Sequence, residues 1–454
     1  MTDREANRFP ARAARYARVG AQVGGVAARL FGARALGSSD PLAEALMMAR
    51  ALGGLKGPIM KVAQMMATIP DLLPPEYATE LQKLQSQAPP MGAAFVKRRM
   101  MAELGADWRH KLGSFDLHPA AAASLGQVHR ATTKDGAPLA CKLQYPDMLS
   151  AVEADLNQLS MLLSVQRRLE PTIDTSEIKE EIGARLREEL DYRREAKHAR
   201  LYAELLAGVP EVIVPGVHET LSSGRLLTLD WVDGRKLLEF KGAPLHVRNR
   251  LATALFKAWW HPFAHHGVIH GDPHLGNYTV FDRGGEVAGI NLLDYGCIRI
   301  FPARFVGGVI DLYMGLRKGD RDRIAAAYAS WGFKGIDDEL VDTLNVWAKF
   351  IYGPLLDDRV RTIADGVAPG EYGRREAWQV KQALRRRGPV RIPREFVFMD
   401  RAAIGLGAVF LHLAAELNFH ALFEAEIKQF SLAALETRQA EVLARAGLVS
   451  PAVA

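Results

Sequence analysis

The sequence contains little cysteine and no long apolar run. Its two cysteines, Cys141 and Cys297, cannot form a disulfide framework or a cysteine metal cluster, and a reducing compartment is the simpler expectation. No run of about 18 residues is free of charge, and no secretory hydrophobic segment stands out. We therefore expect no transmembrane helix and no secretion signal.

A strong excess of charge is also missing. The net charge is +6 and the sequence pI is about 9.2, which permits contact with a nucleotide or an anionic lipid surface but gives no reason to expect nucleic acid as a partner. A hydrophobic content of 48% is typical of a folded globular protein. With 454 residues, the chain has room for two or three domains, or for one two-lobed enzyme with extensions.

Two short segments carry recognisable chemistry. The segment His270–Asn277 has the pattern H-x-D-x-x-x-x-N, and Asp294 begins a D-aromatic-G segment further along the chain. This pair of loops holds metal and nucleotide in protein-kinase-like folds. Asp272 can accept a proton from a hydroxyl group or orient a water molecule, whereas Asn277 and Asp294 are expected to ligate Mg²⁺.

The residues around these segments favour a site over an isolated turn. Apolar residues at 278–281 and 290–293 predict two strands, and the glycines at 284 and 285 predict the turn that joins them. Such a hairpin places both polar segments at the same end, opposite the turn. The alternative is a hairpin whose role is purely structural.

Upstream, residues 112–145 alternate with a period of two, which predicts strands, and Lys134–Ala137 is a hairpin turn signal. Lys142 occupies the place of the nucleotide-binding lysine, near the end of the third strand. A lysine on a buried strand face needs a partner, and Glu195 is the candidate. The alternative for Glu195 is a solvated charge on a helix.

Glycine is missing where such a fold places its phosphate-binding loop. The sequence has Ala121, Ala122, Ala123 and Ser124 there, and alanine does not readily take the positive φ that wraps backbone N–H groups around phosphates. We expect a stiffer loop that starts a helical turn, with a segment packed through its small residues as the alternative. After a later strand, the backbone of Asp230–Val232 is expected to receive adenine.

The C-terminal half is predicted to be mostly helical, with helices at 252–266, 305–316, 324–331, 340–351 and 402–419. The basic cluster at 381–394 is interpreted as a solvated loop, with a phosphate or lipid site as the alternative. Residues 1–50 are interpreted as a basic amphipathic segment that contacts a membrane, with a docked or frayed helix or a transit peptide as alternatives. Lys61 and Gln64 share one face of an apolar helix.

Taken together, these segments resemble the UbiB/AarF family of atypical kinases, and the resemblance covers about residues 55–423. The segment Lys61–Gln64 is similar to the family's K-x-G-Q signature, although Ala63 replaces the glycine. The alanine run matches the family's A-rich loop, and Glu189 and Asp191 match its E-x-D motif.

The resemblance implies an α+β, protein-kinase-like two-lobed fold with an N-terminal helical extension packed over the active site. The expected parts are a basic segment at 1–50, the K-x-G-Q extension at 51–111, an N-lobe at 112–233 and a mostly helical C-lobe at 234–454. Lys61 and Gln64 are then expected to face the nucleotide, and Glu189 and Asp191 to hold this lid electrostatically. The implied cofactors are ATP or ADP and Mg²⁺.

The implied activity is Mg-ATP hydrolysis, or phosphoryl transfer to a small molecule, in support of ubiquinone biosynthesis at a membrane. Asp272, Lys142 and Glu195 are the expected catalytic residues. We expect a cytoplasmic protein attached peripherally to a bacterial inner membrane, or a mitochondrial one, with anionic lipid and quinone-biosynthesis enzymes as partners; the sequence leaves homodimerisation open. Two alternatives are an aminoglycoside- or choline-type small-molecule kinase and a non-catalytic, nucleotide-gated scaffold.

Overall fold

The computed structural model describes residues 91–449 apart from 124, 147, 151, 154–155, 157–182, 185, 366–378, 381 and 384–393. The predicted segments at 1–50 and 51–90 therefore lie outside the described residues, as do Lys61, Gln64, Ser124 and most of the basic cluster at 381–394. Among the helices that are described, none combines the length and the apolar character needed to cross a membrane.

The described chain forms two compact units. The N-terminal unit comprises the described residues up to Glu195 together with His218–Trp231, and the C-terminal unit comprises Ala196–Val217 and the residues from Val232 onward. The four-part division predicted from the sequence stays a prediction.

Runs of consecutive strands are followed by a run of helices in the C-terminal part, as in an α+β protein. The strands are β1 Ser114–Ala123, β2 Gly126–Thr132, β3 Pro138–Gln144, β4 Val212–Ile213, β5 Leu226–Asp230, β6 Arg235–Lys236, β7 Val268–His270, β8 Tyr278–Arg283, β9 Glu286–Leu292 and β10 Ile298–Ile300. The α-helices are α1 Ala93–Leu104, α2 Tyr192–Leu205, α3 Leu245–His266, α4 Ala303–Lys318, α5 Arg321–Ser330, α6 Asp338–Leu356, α7 Arg394–Leu413, α8 Phe419–Ile427 and α9 Leu432–Arg445.

The N-terminal unit is built on an antiparallel sheet with the strand order β1-β2-β3-β5. The two-residue period is confirmed in β3, where Leu139, Cys141 and Leu143 are buried in one core. Val96 and Met100 of α1 belong to the same core. Lys142 lies between two of these apolar residues and therefore points to the other face of the sheet.

The helical turn expected in the alanine run is wrong. Ala121, Ala122 and Ala123 are the last residues of β1 and pair with Val128, Gln127 and Gly126 of β2. The small side chains are compatible with extended backbone, and pairing with β2 gives this backbone the hydrogen-bond partners that a helical turn would otherwise supply.

The C-terminal unit contains a sheet with the order β4-β9-β8-β6 and the strand pair β7-β10. The predicted hairpin at 278–293 is confirmed as β8 and β9, which pair antiparallel. Helix α3 lies in the centre of this unit's core and buries Trp259 and Phe263 almost completely.

One predicted helix, at 402–419, is wrong in its extent. Helix α7 ends at Leu413, and Ala414 follows with a φ of 45°, a left-handed conformation that interrupts the helix. Asn418 then begins α8 by accepting a hydrogen bond from the backbone N–H of Ala421 at 2.8 Å. The apolar pattern continues through both helices, which explains why the break is not visible in the periodicity.

A buried histidine fixes the start of α1 to the N-terminal sheet. The Nδ1 atom of His129 donates to the carbonyl oxygen of Asp116 at 2.8 Å, so its Nε2 accepts from the amide nitrogen of Gln127, also at 2.8 Å. The Gln127 oxygen in turn accepts the backbone N–H of Met91 at 2.8 Å. Burial lowers the pKa of His129, against the opposing effect of the Asp116 carbonyl.

We predict a pH-dependent stability that arises from His129. Its folded pKa is lowered, so its contribution is fully present above the unfolded value of about 6.5 and is lost as the pH falls below that value. Replacing His129 with Asn should lower the unfolding free energy by about 1–3 kcal/mol near neutral pH and flatten its decline with acidification. Urea unfolding from neutral to acidic pH measures the unfolding free energy and its pH dependence.

The matched control for this experiment is His110→Asn, because His110 is an exposed histidine of the same unit. It should leave both the unfolding free energy and its pH dependence unchanged. A His129 variant with the same pH dependence as the wild type would contradict the assignment.

Candidate active site

The lysine and glutamate predicted as partners form a buried ion pair in the N-terminal unit. Lys142 Nζ lies 2.6 Å from Glu195 Oε1, and the two side chains are 16% and 2% exposed. The ammonium group also lies 5.2 Å from the ring centre of Tyr192. Glu195 is thus held as a buried carboxylate that balances the lysine charge, which a solvated helix charge would not do.

The E-x-D motif contributes to this pair through its aspartate. Asp191 immediately precedes α2, and its Oδ1 accepts the backbone N–H groups of Arg193 and Arg194, both at 3.1 Å. This is an N-cap, which satisfies amides that have no partner inside the helix. Asp191 therefore fixes the first turn of the helix that carries Glu195. The predicted electrostatic contact of Glu189 and Asp191 with the lid stays a prediction, because Lys61 and Gln64 lie outside the described residues.

The residues predicted to receive adenine lie at the end of β5. Asp230 is exposed, and its Oδ1 is 2.8 Å from Nε2 of His218. Its Cα pairs with that of Leu139 in β3. Val232 is half-buried and belongs to the C-terminal unit. The nucleotide-binding role of Asp230, Val232 and the alanines of β1 stays a prediction.

In the C-terminal unit, a buried histidine holds the two predicted catalytic segments together. His270 Nε2 donates to the carbonyl oxygen of Asp294 at 2.7 Å, because a carbonyl can only accept. Its Nδ1 accepts the backbone N–H of Asp272 at 3.2 Å. The ring is fully buried and packs near Tyr202 and Trp259.

Further hydrogen bonds fix the conformation of these two segments. Asn277 donates its side-chain N–H to the carbonyl of Asp272 at 3.0 Å, and the carbonyl of Asn277 accepts the N–H of Leu293 at 3.0 Å. Asp294 Oδ1 accepts the N–H of Gly296 at 2.9 Å. The side chains of Asp272, Asn277 and Asp294 are all half-buried. The structure therefore brings the main chains of these predicted residues into one hydrogen-bonded arrangement.

Two glycines permit the close packing of the segment that carries Asp272. A Cβ on Gly271 would lie 2.6 Å from the carbonyl oxygen of Cys297, whose oxygen accepts the Gly271 N–H at 2.7 Å. A Cβ on Gly405 of α7 would lie 2.3 Å from Cγ of Pro273. Larger residues at either position would displace the loop that carries Asp272.

The tyrosine of the D-Y-G segment is a structural support that sequence reasoning did not assign. Tyr295 is fully buried, and its hydroxyl donates to the carbonyl of Leu292 at 2.6 Å. Its own carbonyl accepts from Nδ1 of His198, at 3.1 Å. The bridging role of His270 was not predicted either, although its place two residues before Asp272 was a signal for it. The capping role of Asp191 could likewise have been predicted from its position before a helical run.

The donor atoms in this unit suit Mg²⁺. Because the Asn277 amide nitrogen faces the Asp272 carbonyl, its Oδ1 is the atom suited to a metal, and Asp294 contributes a carboxylate. Hard oxygen ligands of this kind, few in number, match the way Mg²⁺ is held together with phosphate groups.

The fold and these two sets of residues define a kinase-like protein. Residues 83–328, more than half of the chain, match the ABC1 atypical kinase-like domain. The chain therefore belongs to the ABC1 atypical kinase family, which confirms the resemblance to the UbiB/AarF proteins and the expected kinase-like fold.

Several known proteins are similar to this chain. A protein of Synechocystis named as uncharacterized, sll0005, is 28% identical over 389 residues, which cover 84% of this chain and 54% of that protein. The rat mitochondrial atypical kinase COQ8B is 30% identical over 291 residues, which cover 63% and 54%. The chain spans about half the length of these curated relatives.

A solved structure is similar over nearly its whole length. It is the complex of Rv3197 with erythromycin, from Mycobacterium tuberculosis, and it is 27% identical with a TM-score of 0.58. The alignment covers 83% of this chain and 93% of that one. The likeness confirms the mixed helix-and-sheet, kinase-like fold.

The Lys142–Glu195 pair generates a stability prediction. Replacing Lys142 with Met leaves Glu195 buried without its cation and should lower the unfolding free energy by about 3–5 kcal/mol. The double variant Lys142→Met/Glu195→Gln removes both charges and should recover much of that loss. Chemical denaturation of the wild type, both single variants and the double variant completes the cycle.

The control is Lys97→Met on α1, since Lys97 is exposed and its loss should be nearly neutral. Equal destabilisation in the Lys142→Met and double variants would contradict a buried, mutually compensating pair.

Proposed function

We propose that this chain binds Mg-ATP and hydrolyses it, or transfers its terminal phosphoryl group to a small molecule, in support of ubiquinone biosynthesis at a membrane. Membership of the ABC1 family and similarity to proteins named as mitochondrial COQ8 atypical kinases support the proposal. The observation that carries it is the pair of hydrogen bonds made by His270, one donated to the Asp294 carbonyl and one accepted from the Asp272 N–H, which fix the two main-chain segments relative to each other.

Each residue has a defined task in this proposal. The Lys142 ammonium group contacts the nucleotide phosphates, and Glu195 keeps that side chain in place. Asp272 accepts the proton of the attacking hydroxyl group, or orients the attacking water. Asn277 Oδ1 and the Asp294 carboxylate hold Mg²⁺. When bound, this ion neutralises negative charge on the phosphate oxygens.

Membrane attachment is a separate part of the proposal. It rests on the basic composition at 1–50 and on the family resemblance, and that segment lies outside the described residues. A liposome arm in the activity assay therefore tests it separately from nucleotide chemistry.

A nucleotide-gated scaffold is the principal alternative. Both predicted Mg²⁺ ligands and the candidate base Asp272 are present, which favours turnover over binding alone. The solved relative from Mycobacterium tuberculosis is a complex with erythromycin, so the hydroxyl groups of a macrolide are reasonable trial acceptors beside water and quinone precursors.

The test is Mg-ATP turnover and nucleotide affinity of the purified protein, with and without anionic liposomes. Asp272→Asn should lower kcat by about 10²–10⁴-fold while nucleotide still binds. Asp294→Asn should remove the Mg²⁺-dependent part of nucleotide binding, because a ligand to the ion is lost. The matched control is Asp282→Asn, since Asp282 is an exposed residue of β8 that pairs with Arg235 at 2.8 Å.

The outcomes separate the two functions. Loss of turnover in Asp272→Asn and Asp294→Asn, but not in Asp282→Asn, supports the enzyme. If Asp272→Asn still fully supported ubiquinone biosynthesis in cells, while Asp294→Asn lost nucleotide binding, the enzyme would be contradicted and the scaffold favoured.

A further inference from the structure

A second cluster of potential metal ligands lies in the C-terminal unit on residues that the kinase chemistry does not use. Nδ1 of His261 lies 3.0 Å from Oε2 of Glu426, and Nε2 of His265 lies 3.2 Å from the same oxygen. Within the described part of the chain, this is the group in which three His, Cys, Asp or Glu ligand atoms all lie within 4.8 Å of one another.

These separations are close to those of a metal coordination sphere. In a tetrahedral zinc site with bonds of about 2.0–2.1 Å, neighbouring ligand atoms lie roughly 3.3 Å apart. The two nitrogen-to-oxygen contacts are only slightly shorter, and the two histidine nitrogens lie within 4.8 Å of each other, so an ion can replace the shared protons with small side-chain movements.

The scaffold holds the three side chains in place without the ion. His261 and His265 are four residues apart in the last two turns of α3 and therefore lie on one face of that helix. Glu426 lies near the end of α8. The helices are joined beside these ligands by the edge-to-face contact of Trp260 with Phe423, whose ring centres are 4.7 Å apart.

The surroundings suit a cation. The C-terminal end of α3 carries the negative end of the helix dipole, and His265 lies in its last turn. The side chains of His261, His265 and Glu426 are 30%, 33% and 13% exposed, so an ion can enter from solvent. Two imidazoles and one carboxylate form a donor set that zinc accepts with one position left for water or another ligand.

We infer that His261, His265 and Glu426 form a zinc site with an open fourth position. Its donor set of two nitrogens and one oxygen differs from the oxygen donors Asn277 and Asp294, so Zn²⁺ is distinguished from Mg²⁺ by ligand chemistry. The site goes beyond the proposed kinase function and does not depend on it.

Zinc binding to the full chain tests the inference. Chelator-treated protein in saturating Mg²⁺ is titrated with Zn²⁺ against a chromophoric chelator, for the wild type, His261→Gln, His265→Gln and Glu426→Gln. We expect one equivalent of zinc, with affinity reduced at least about a hundredfold in each variant, because loss of a direct ligand should cost no less than loss of a residue that only orients one. His246→Gln is the matched control, because His246 is an exposed histidine of α3, and it should bind zinc like the wild type.

Cobalt gives a readout that does not depend on the variants folding. Co²⁺ bound to the wild type should show the intense visible absorption of four-coordinate cobalt, and Zn²⁺ should displace it. Weak, octahedral-type absorption would overturn the inference. So would zinc affinity that is absent in the wild type, or unchanged in all three ligand variants.

Discussion

The two hydrogen bonds of His270 are the interaction on which the candidate active site depends. One bond reaches the carbonyl of Asp294 and the other takes the N–H of Asp272, so a single imidazole ring fixes two segments more than twenty residues apart. Both bonds require the proton to be on Nε2 and the lone pair on Nδ1. Burial beside Tyr202 and Trp259 prevents water from replacing these partners.

The neighbouring contacts are consequences of that arrangement. Gly271 lets the segment that carries Asp272 approach Cys297, and the Asn277 side chain donates to the Asp272 carbonyl. Tyr295 anchors the other segment through the carbonyl of Leu292. The main chains of Asp272, Asn277 and Asp294 are therefore positioned before any ligand binds, which reduces the reorganisation that binding would require.

The buried lysine of the N-terminal unit depends on a different interaction, which is charge compensation. Burying a cation is unfavourable unless a carboxylate compensates for it, and Glu195 is the buried carboxylate that does so for Lys142. The position of Glu195 in turn depends on where α2 begins, which Asp191 specifies by capping the first amides. The aspartate of the E-x-D motif thus has a local role in the fold, which is to cap the helix that carries Glu195.

Sequence reasoning succeeded where a local pattern dictates the structure. The period of two around Lys142 and the hairpin that follows Asn277 were predictable, because alternation of apolar residues leaves few solutions. The choice of Glu195 as the partner of Lys142, on a helix rich in charges, depended on the neighbouring motifs and the family resemblance. Sequence reasoning failed where one stretch of residues is compatible with more than one local structure. The alanines of β1 pair with β2 rather than turn, and a continuous apolar pattern hides the break at Ala414. The histidine cluster on α3 and α8 needs a tertiary contact that no local pattern contains.

The central claim is that this chain holds the metal of a nucleotide complex with Asn277 and Asp294. The most direct measurement is a crystal structure with Mn²⁺ and a non-hydrolysable ATP analogue, in which anomalous scattering locates the ion. We predict an anomalous peak within bonding distance of Asn277 Oδ1 and an Asp294 carboxylate oxygen, at about 2.0–2.2 Å. A bound nucleotide whose metal ion contacts neither residue would contradict the account.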